Sequence, residues 1–357
     1  MWGKHDDLIV HEHEPFNAEP APHALARAAV TGVGHFYVRN HGIVPESDPA
    51  RWRLAVDGLV GRELRLSLAE LREFDHHEVV ASLQCAGNRR SSLSKLQDIP
   101  GHQWGPGATS AARWKGVRLA DVLARAGVAA TAAHVEFEAP DIAEEASPPQ
   151  RFGGSIPLSK ARSGEVLLAW EMNGAPLPPV HGAPVRVVVP GYIGARSVKW
   201  VDRITVRSRP SANFFQAVAY RLLPAEPVAG EDGIELGPIA VNSAILTPAA
   251  GETVPAGATA VSGYALAGDG RGVARVEVSV DGGSRWQRAE LDEQPSPWTW
   301  RRWRAVVQLP PGEAEIVSRA WDTAAAVQPE READLWNPKG YFNHAWYRTR
   351  VTCVDRA

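Results

Sequence analysis

The sequence has no long apolar run and no excess of one charge sign. No stretch approaches the about 18 consecutive apolar residues that a membrane-spanning helix needs. The 38 Lys and Arg residues nearly balance the 41 Asp and Glu residues, so the net charge is −3 and no long block carries one sign. This composition excludes a membrane-spanning protein and gives no broad attraction to nucleic acid or anionic lipid. Any anion-binding site must therefore be local.

Cysteines are also few. Cys85 and Cys353 cannot form a disulfide framework, so each is considered as a thiol. The first residues, MWGKHDDLIVHEHEP, show neither the basic and apolar regions of a secretory signal nor a twin-arginine pair. We therefore expect a cytoplasmic protein, or a periplasmic one if the chain is a processed form.

The composition that is present indicates a globular chain of about two domains, with 44% apolar and 22% charged residues. Glycine (32), proline (28) and tryptophan (13) are frequent, which indicates many turns and strands and little helix. The segment Leu222–Pro238 concentrates proline, glycine and acidic residues without periodicity, so we place a domain border within it. We predict an N-terminal arm that wraps the protein (1–35), a first domain (36–225) and a second domain (226–357).

Local patterns in the first domain predict short strands with a few short helices. Residues 67–70, Ser-Leu-Ala-Glu, have the spacing of a capping box. A helical pattern over Leu119–Ala126 ends at Gly127. EVVASLQC predicts a strand that passes into a loop at Cys85. EVLLAWEM and PVRVVVPG predict two buried strands on either side of a hairpin-type connection that starts with the Asn-Gly turn at 173–174.

In the second domain the apolar period becomes two. Residues 275–280 alternate polar side chains with valine, and an Asp-Gly-Gly turn follows at 281–283. Similar strands recur in WTWRRWRAVVQL and EAEIVSRAWD, which predicts an immunoglobulin-like β-sandwich. Trp298, Trp300 and Trp303 either form an apolar face for self-association or pack into the sandwich core. The whole chain is therefore predicted to be α+β.

A lone cysteine at the end of an apolar strand is most often a small buried hydrophobic residue. Cys85 differs, because Arg89 and Arg90 follow within five positions and cationic neighbours favour the thiolate that binds metals or attacks electrophiles. Adjacent arginines in an extended loop point in different directions, so one can hold a cofactor while the other faces a substrate anion; a surface arginine pair is the alternative. We expect a structural role for Cys353 in the strand pattern YRTRVTCV, and a solvated arm rather than a metal site for the HEHE run at 11–14.

The run LQCAGNRR resembles the cysteine loop of the sulfite oxidase family of molybdenum enzymes, which includes the eukaryotic assimilatory nitrate reductases. Further segments resemble this family in the same order: FYVRNHGIVP, HQWGPG, GGSIPL, EMNGAPLPPVHGAPVRVVVPGYIGARSVKW, VEVSVDGGSRW, RAWD and WNPKGYFNHAW. The resemblance implies a mixed α and β molybdopterin-binding catalytic domain followed by an immunoglobulin-like dimerisation domain, and hence a homodimer. The sequence shows no C-x-x-C-H motif and no cytochrome b5-like segment ahead of residue 35, so we expect the bacterial stand-alone form without a haem domain.

By this resemblance, Cys85 supplies the thiolate that ligates molybdenum. The resemblance also implies a molybdopterin-binding set: Tyr37, Val38, Arg39, Asn40, His41, Asp141, His181, Arg186, Ser197, Val198 and Lys199. The set suits the cofactor chemically, because its phosphate end needs cationic and main-chain donors and its pterin edge needs directional acceptors.

The resemblance further implies a substrate pocket, which consists of Arg39, Arg90, Trp104, Tyr220 and Lys339. The arginines would donate paired hydrogen bonds to an oxyanion, Trp104 would shape the pocket, and Tyr220 would assist binding and proton-coupled electron release. Lys339 lies in WNPKG, where many members of the family have arginine. The positive charge is kept there, but the planar two-point geometry is lost.

The function that the resemblance implies is oxidation of sulfite to sulfate by oxo transfer at molybdenum, with electrons passed to an external acceptor, either a cytochrome or oxygen. Reduction of nitrate or another oxyanion or S-oxide at the same centre is the alternative within the family. A cofactor-free binding protein is a third hypothesis. Metal analysis separates the third hypothesis from the first two, and assays with sulfite or nitrate separate those two.

Overall fold

A computed structural model of the chain describes residues 1–226, 230 and 232–355. Strand exceeds helix by a wide margin, which confirms the expectation from the glycine, proline and tryptophan content. Within the described residues the α-helices are α1 (Pro22–Leu25), α2 (Leu68–Leu71), α3 (Arg90–Leu93), α4 (Leu119–Ala126) and α5 (Leu158–Ala161).

The strands of the first half are β1 (Leu8–His13), β2 (Phe16–Pro20), β3 (Arg53–Gly58), β4 (Leu64–Ser67), β5 (His76–Gln84), β6 (Thr109–Arg118), β7 (His134–Ala143), β8 (Gln150–Pro157), β9 (Leu167–Met172), β10 (Ala175–Pro176), β11 (Arg186–Val188), β12 (Arg203–Arg207) and β13 (Arg221–Leu222). Those of the second half are β14 (Ile234–Glu235), β15 (Asn242–Thr247), β16 (Thr253–Pro255), β17 (Gly257–Leu266), β18 (Val273–Ser279), β19 (Gln287–Arg288), β20 (Glu290–Leu291), β21 (Arg301–Leu309), β22 (Gly312–Asp322) and β23 (Tyr347–Val354).

Two five-stranded sheets form the scaffold of the first half. One has the order β10-β9-β6-β5, with β11 also paired to β9, and the other has the order β4-β3-β12-β7-β8. The pairs within them are antiparallel except for β12 with β3. Leu119, Val122 and Leu123 form the buried face of α4, and the first two are fully buried. These sheets hold the ends of β5, β7 and β11, at which the predicted site residues Cys85, Asp141 and Arg186 lie.

Most local predictions for the first half are confirmed. Ser67 and Glu70 form a reciprocal capping box at the start of α2. Helix α4 ends at Gly127, whose φ of +72° is the left-handed conformation that glycine adopts without strain. The prediction for the Asn-Gly turn at 173–174 was partly wrong: the turn leads into the short strand β10, and β11 reaches β9 only after a further loop.

The second half is a β-sandwich, as predicted. Its sheets have the orders β15-β17-β21-β20 and β16-β23-β22-β18-β19. Their facing side chains form an apolar core in which Cys353 is buried, which confirms its structural placement. The immunoglobulin-like assignment is confirmed.

The tryptophans of the second half do not form an exposed apolar face. Trp300 and Trp303 are each only 1% exposed, and Trp298 is half-buried. The alternative interpretation, that they pack into the interior, is the correct one. Their presence therefore gives no argument for self-association.

The N-terminal arm lies along both halves of the molecule. Its helix α1 has four residues, and Trp300 Nε1 donates to the carbonyl oxygen of Ala29 at 2.8 Å. The predicted border after residue 225 adjoins residues 227–229, which lie outside the described residues, so the domain boundaries stay predictions. None of the described helices is long and apolar enough to span a membrane.

Candidate functional site

Cys85 lies where strand β5 ends, as predicted. Its backbone N–H donates to the carbonyl oxygen of Ala108 at 2.9 Å, and its own carbonyl accepts from the N–H of Asn88 at 3.0 Å. The chain therefore turns directly after the strand, and Cys85 lines a cavity. The side chain is 8% exposed, so it is accessible mainly through this cavity.

The structure brings most of the predicted cofactor-binding residues around the same cavity. Its lining includes Cys85 and Tyr220 together with Tyr37, Val38, Arg39, Asn40, His41, Asp141, His181, Arg186, Ser197 and Lys199. Val198 is the member of the predicted set that lies elsewhere: its side chain is in the hydrophobic core, and its carbonyl oxygen accepts from the N–H of Val187.

Buried cations dominate one end of this cavity. The guanidinium of Arg186 donates to the carbonyl oxygens of His181 (3.1 Å) and Ser197 (3.0 Å), and the Lys199 ammonium donates to that of Arg39 (3.1 Å). Burial lowers the pKa of Arg186 to about 10 and that of Lys199 well below its usual value. Among the described residues, no carboxylate lies within ion-pair distance of either group. An anion bound here would supply the missing negative charge.

Asp141 offers an acceptor on the same cavity. The residue is 4% exposed, and its Oδ1 has no hydrogen-bond partner among the described residues. Burial raises the pKa of this carboxyl to about 6, although the positive charge of Lys199 acts in the opposite direction. A ligand with N–H donors would satisfy this oxygen.

The predicted anion-binding groups lie around a second, wider cavity that shares Arg39, His41 and Asp141 with the first. Arg90 lines it and donates from Nη1 to the carbonyl oxygen of His102 at 3.2 Å. Lys339 also lines it, and its ammonium donates to the carbonyl oxygens of Val218 and Ala219, the latter at 3.0 Å. Three cationic side chains therefore line one cavity, which carboxylates such as Glu12 and Glu145 also line, and Glu145 lies 4.0 Å from the Arg39 guanidinium.

Trp104 lies behind this cavity and lines neither of the two. It is 1% exposed and packs against the imidazole of His11 with ring centroids 4.5 Å apart. A Cβ atom placed on Gly87 would be 3.4 Å from the indole, so Trp104 supports the loop that follows Cys85.

Tyr220 lines the inner cavity, which is the cavity that contains the Cys85 thiol. The helical turn Phe215–Ala219, which precedes Tyr220, places it there. Its hydroxyl lies 2.7 Å from Nε2 of His41, and its ring stacks on Tyr341 with centroids 5.5 Å apart. Burial raises the pKa of Tyr220 well above its usual value and lowers that of His41 to about 3. Both groups are therefore neutral at neutral pH, and the tautomer of His41 decides which of them donates the hydrogen bond.

Arg89 and Arg90 do point in different directions, but the expectation that one of them holds a cofactor was wrong. Arg89 is 3% exposed and donates to the carbonyl oxygens of Ala345 (2.9 Å) and Trp346 (3.2 Å) in the second half. It lines none of the cavities described above, and it ties the cysteine loop to the sandwich. Of the two arginines, only Arg90 lines the cavity that Arg39 and Lys339 also line.

Comparison with known proteins agrees with this arrangement. Residues 41–215 match the model of the oxidoreductase molybdopterin-binding domain, and residues 236–354 match that of the Mo-co oxidoreductase dimerisation domain. The mitochondrial sulfite oxidase of Mus musculus is 44% identical over 98% of the chain and 66% of its own length. The sulfite oxidase of Arabidopsis thaliana is 39% identical over 97% of the chain and 94% of its own length.

The chain belongs to the sulfite oxidase family. Among solved structures, the sulfane dehydrogenase SoxCD from Paracoccus pantotrophus superposes with a TM-score of 0.84 at 28% identity, over 96% of the chain and 86% of that protein. The chain spans about two thirds of the length of the mouse relative.

The residues around the inner cavity fit the molybdopterin cofactor of the sulfite oxidase family. The buried cations Arg186 and Lys199, neither of which forms an ion pair among the described residues, suit a phosphate; the unpaired Oδ1 of Asp141 suits a ring N–H, and the Cys85 thiol is a soft metal ligand. A Cβ atom on Gly194 would lie 2.6 Å from the Tyr37 hydroxyl, so only glycine leaves this wall open.

The arm makes contacts with this site that the sequence did not predict. The HEHE run is solvated only in part: His13 and Glu14 are exposed as predicted, whereas His11 pairs with the buried Glu19 at 2.9 Å and Glu12 lies 3.2 Å from His102. Lys4 donates to the carbonyl oxygen of Phe36 at 2.7 Å and lies 2.6 Å from Nε2 of His181, and burial lowers its pKa to about 7. No local pattern marks these residues, because their partners lie far away in sequence.

Proposed function

We propose that the protein oxidises sulfite to sulfate in a molybdenum-dependent reaction and passes the electrons to an external acceptor. The observation that carries the proposal is that the two cavities share Arg39 and His41 as lining residues. One cavity contains the Cys85 thiol, and Arg39, Arg90 and Lys339 line the other together with carboxylates such as Glu12 and Glu145. A dianion bound by these three cations would lie next to the cavity that contains the Cys85 sulfur. The relatives named sulfite oxidase support the choice of sulfite.

The residues around the inner cavity would hold the cofactor through Cys85, Asp141, Arg186 and Lys199. When bound, molybdopterin supplies a molybdenum that gives an oxo group to the substrate sulfur and takes up two electrons. The guanidinium groups of Arg39 and of the buried Arg90 would bind the sulfite oxygens through charge-assisted hydrogen bonds. The neutral Tyr220 hydroxyl would donate a hydrogen bond to the substrate in the tautomer in which Nε2 of His41 donates to it, and it adds no negative charge.

The first experiment is a steady-state assay of the molybdenum-loaded protein, with sulfite and an artificial acceptor in one arm and nitrate and a reduced donor in the other. We expect turnover with sulfite. Turnover with nitrate alone would replace this proposal by the reductase alternative. Protein that carries no molybdenum after expression in a cofactor-competent host would point to a binding protein.

The two cysteines provide a matched pair of variants. Cys85→Ser is expected to abolish turnover and to lower the molybdenum content well below one atom per chain, because the soft metal ligand is lost. Cys353→Ser, in the sandwich core, is expected to keep both. Metal analysis and sulfite assays on the two purified variants check this prediction, and sulfite turnover that survives in Cys85→Ser would contradict it.

We also propose that the protein is a homodimer that associates through its second half, which the match of residues 236–354 to a dimerisation domain supports. Light scattering of the full-length protein is expected to give twice the mass of one chain, 38.6 kDa. A monomer at micromolar concentration would contradict this proposal.

A further inference from the structure

Strand β2 of the arm carries two buried polar side chains whose partners hold segments near the cavity that Arg39, Arg90 and Lys339 line. Asn17 is fully buried and Glu19 is 2% exposed. Because the residues are two apart in a strand, their side chains leave on the same face, about 7 Å apart. Buried groups of this kind are stable only when they are hydrogen-bonded, so their partners show what the strand holds.

Glu19 holds the loop that carries Trp104. Its carboxylate accepts from the backbone N–H of Gly105 at 2.6 Å and from that of Gly107 at 2.9 Å, and it pairs with His11. The same loop binds the segment that follows Cys85, because the carbonyl oxygen of Gly105 accepts from the N–H of Arg89 at 2.9 Å and that of Trp104 accepts from the N–H of Ser91 at 3.1 Å. The position of Arg90 therefore depends on a loop that Glu19 fixes.

Asn17 holds the segment that carries Arg39. Its Oδ1 accepts from the backbone N–H of Asn40 at 2.7 Å, and its Nδ2 donates to the carbonyl oxygen of Asn40 at 3.1 Å. The Nη1 of Arg39 lies 3.4 Å from the same Oδ1 and also donates to the Asn40 carbonyl. Both the main chain and the guanidinium of this segment are thus fixed to β2.

We propose that β2 is a positioning strand, on which Asn17 and Glu19 set the separation of Arg39 from the Trp104 and Arg90 segments. Neither side chain touches the substrate; each acts through the residues it holds. The strand lies outside residues 41–215, the range matched by the molybdopterin-binding domain. The proposal rests on the proposed function, since it concerns how the pocket binds sulfite and its product sulfate.

The test compares Glu19→Gln with Glu78→Gln. A glutamine at position 19 keeps the shape but can accept from only one of the two glycine amides with its oxygen, while its NH₂ group opposes the other amide. Glu78 forms an exposed pair with Arg113 on the same half, so its variant removes the same charge far from the pocket. Glu19→Gln is expected to raise the sulfite KM about tenfold with kcat within about twofold, and Glu78→Gln to change neither.

Sulfate binding provides a readout that does not depend on turnover. Calorimetric titration of the molybdenum-loaded proteins with sulfate is expected to show a Kd raised about tenfold by Glu19→Gln, with unchanged molybdenum content. If wild-type protein binds sulfate but does not oxidise sulfite, the proposed function fails while the comparison of sulfate Kd values still decides the positioning role. If wild-type protein binds no sulfate, the positioning proposal is overturned.

A purely structural role for Glu19 predicts a different result, namely a lower Tm with the KM and the sulfate Kd within about twofold of wild type. That result overturns the proposal. Asn17→Ser repeats the test from the Arg39 side and is decisive if Glu19→Gln does not fold. Failure of both variants to fold also overturns the proposal, because a positioning role requires a folded protein with altered anion affinity.

Discussion

At the scale of single residues, the Lys339 ammonium has only part of its hydrogen-bonding capacity left for a ligand. A lysine ammonium has three N–H donors. In this protein the Lys339 ammonium already donates to the carbonyl oxygens of Val218 and Ala219. One donor therefore remains for an anion in the cavity that Lys339 lines, and burial lowers the pKa of the ammonium.

We predict that Lys339→Ala raises the sulfite KM about fivefold, which corresponds to a loss of about 1 kcal/mol for a partly exposed charge. Lys339→Arg is expected to lower KM by a smaller factor, because a guanidinium has donors left after binding the two carbonyls. Steady-state kinetics at low salt measure both changes, with the exposed Lys95→Ala as the control. A KM for Lys339→Ala within about twofold of wild type would show that Lys339 is a rim residue.

Asp141 makes the stability of the cofactor-free protein depend on pH. Burial raises the pKa of its carboxyl to about 6 in the folded protein, from an ordinary value of 3.8. Well below pH 4 the carboxyl is protonated in both the folded and the unfolded chain, so its burial costs little. As the pH rises from about 4 through 6, the unfolded chain loses its proton first, and the folded state becomes progressively less favoured.

The variant Asp141→Asn is therefore expected to raise the free energy of unfolding of the cofactor-free protein, by on the order of 2 kcal/mol at pH 7.5 and about half as much at pH 5. The exposed Asp75→Asn is the control and should change little at either pH. Chemical denaturation at the two pH values measures the effect. A variant less stable than wild type at pH 7.5 would mean that the Asp141 carboxylate stabilises the fold.

At the scale of elements, the pairing of β6 with β9 depends on one glycine. A Cβ atom on Gly116 would lie 2.0 Å from the carbonyl oxygen of Leu168 and 2.7 Å from the Cα of Ala169, and both are backbone atoms. The register of the two strands shifts at this position. Because β6 also pairs with β5, the strand that delivers Cys85, the close approach at Gly116 supports the site from a distance.

We predict that Gly116→Ala lowers the free energy of unfolding by about 3 kcal/mol or more, since the strands must separate to admit the methyl group. Gly32→Ala is the matched control, because no atom lies within 4 Å of the Cβ it would add and the backbone φ there is −59°. Denaturant unfolding of both variants tests the prediction. Equal stability of the two would show that β6 and β9 adjust without cost.

Patterns that lie within one element could be predicted from the sequence, and contacts between remote elements could not. The capping box at Ser67, the helix end at Gly127 and the strand end at Cys85 depend on neighbours in the chain, so their residue types indicate the structure. The contacts of Glu19 could not be predicted in this way, because its partners are the backbone amides of Gly105 and Gly107, which lie 86 and 88 residues away in the chain. Every residue except proline has a backbone amide, so residue types do not mark these partners. The contacts of the arm could therefore be recognised only in the fold.

At the scale of the whole molecule, Arg89 joins the cysteine loop to the sandwich. It lies in the left-handed backbone region with φ of +66°, which directs its side chain away from Arg90 and into the second half. Glu332 is 3.6 Å from its guanidinium and balances the buried charge. The position of Cys85 thus depends on both halves.

We predict that Arg89→Met lowers the free energy of unfolding by on the order of 3 kcal/mol, because the carbonyl oxygens of Ala345 and Trp346 lose their donor. Molybdenum content should also fall, although Arg89 lines neither cavity. Arg304→Met, which removes an exposed arginine paired with Glu290, is the control. Denaturation and metal analysis give the two readouts, and a stable variant with full molybdenum content would rule out the coupling.

The partners of Arg89 also determine how this contact would respond to sequence divergence. Its acceptors in the second half are the main-chain oxygens of Ser243, Ala345 and Trp346, which every residue type provides. Substitutions at those three positions can change the side chains without removing the acceptors, provided that the chain follows the same path. The surface of the sandwich can therefore diversify at these three positions over evolutionary time while Arg89 keeps its main-chain acceptors, so preservation of this junction depends on Arg89 itself and on the carboxylate of Glu332.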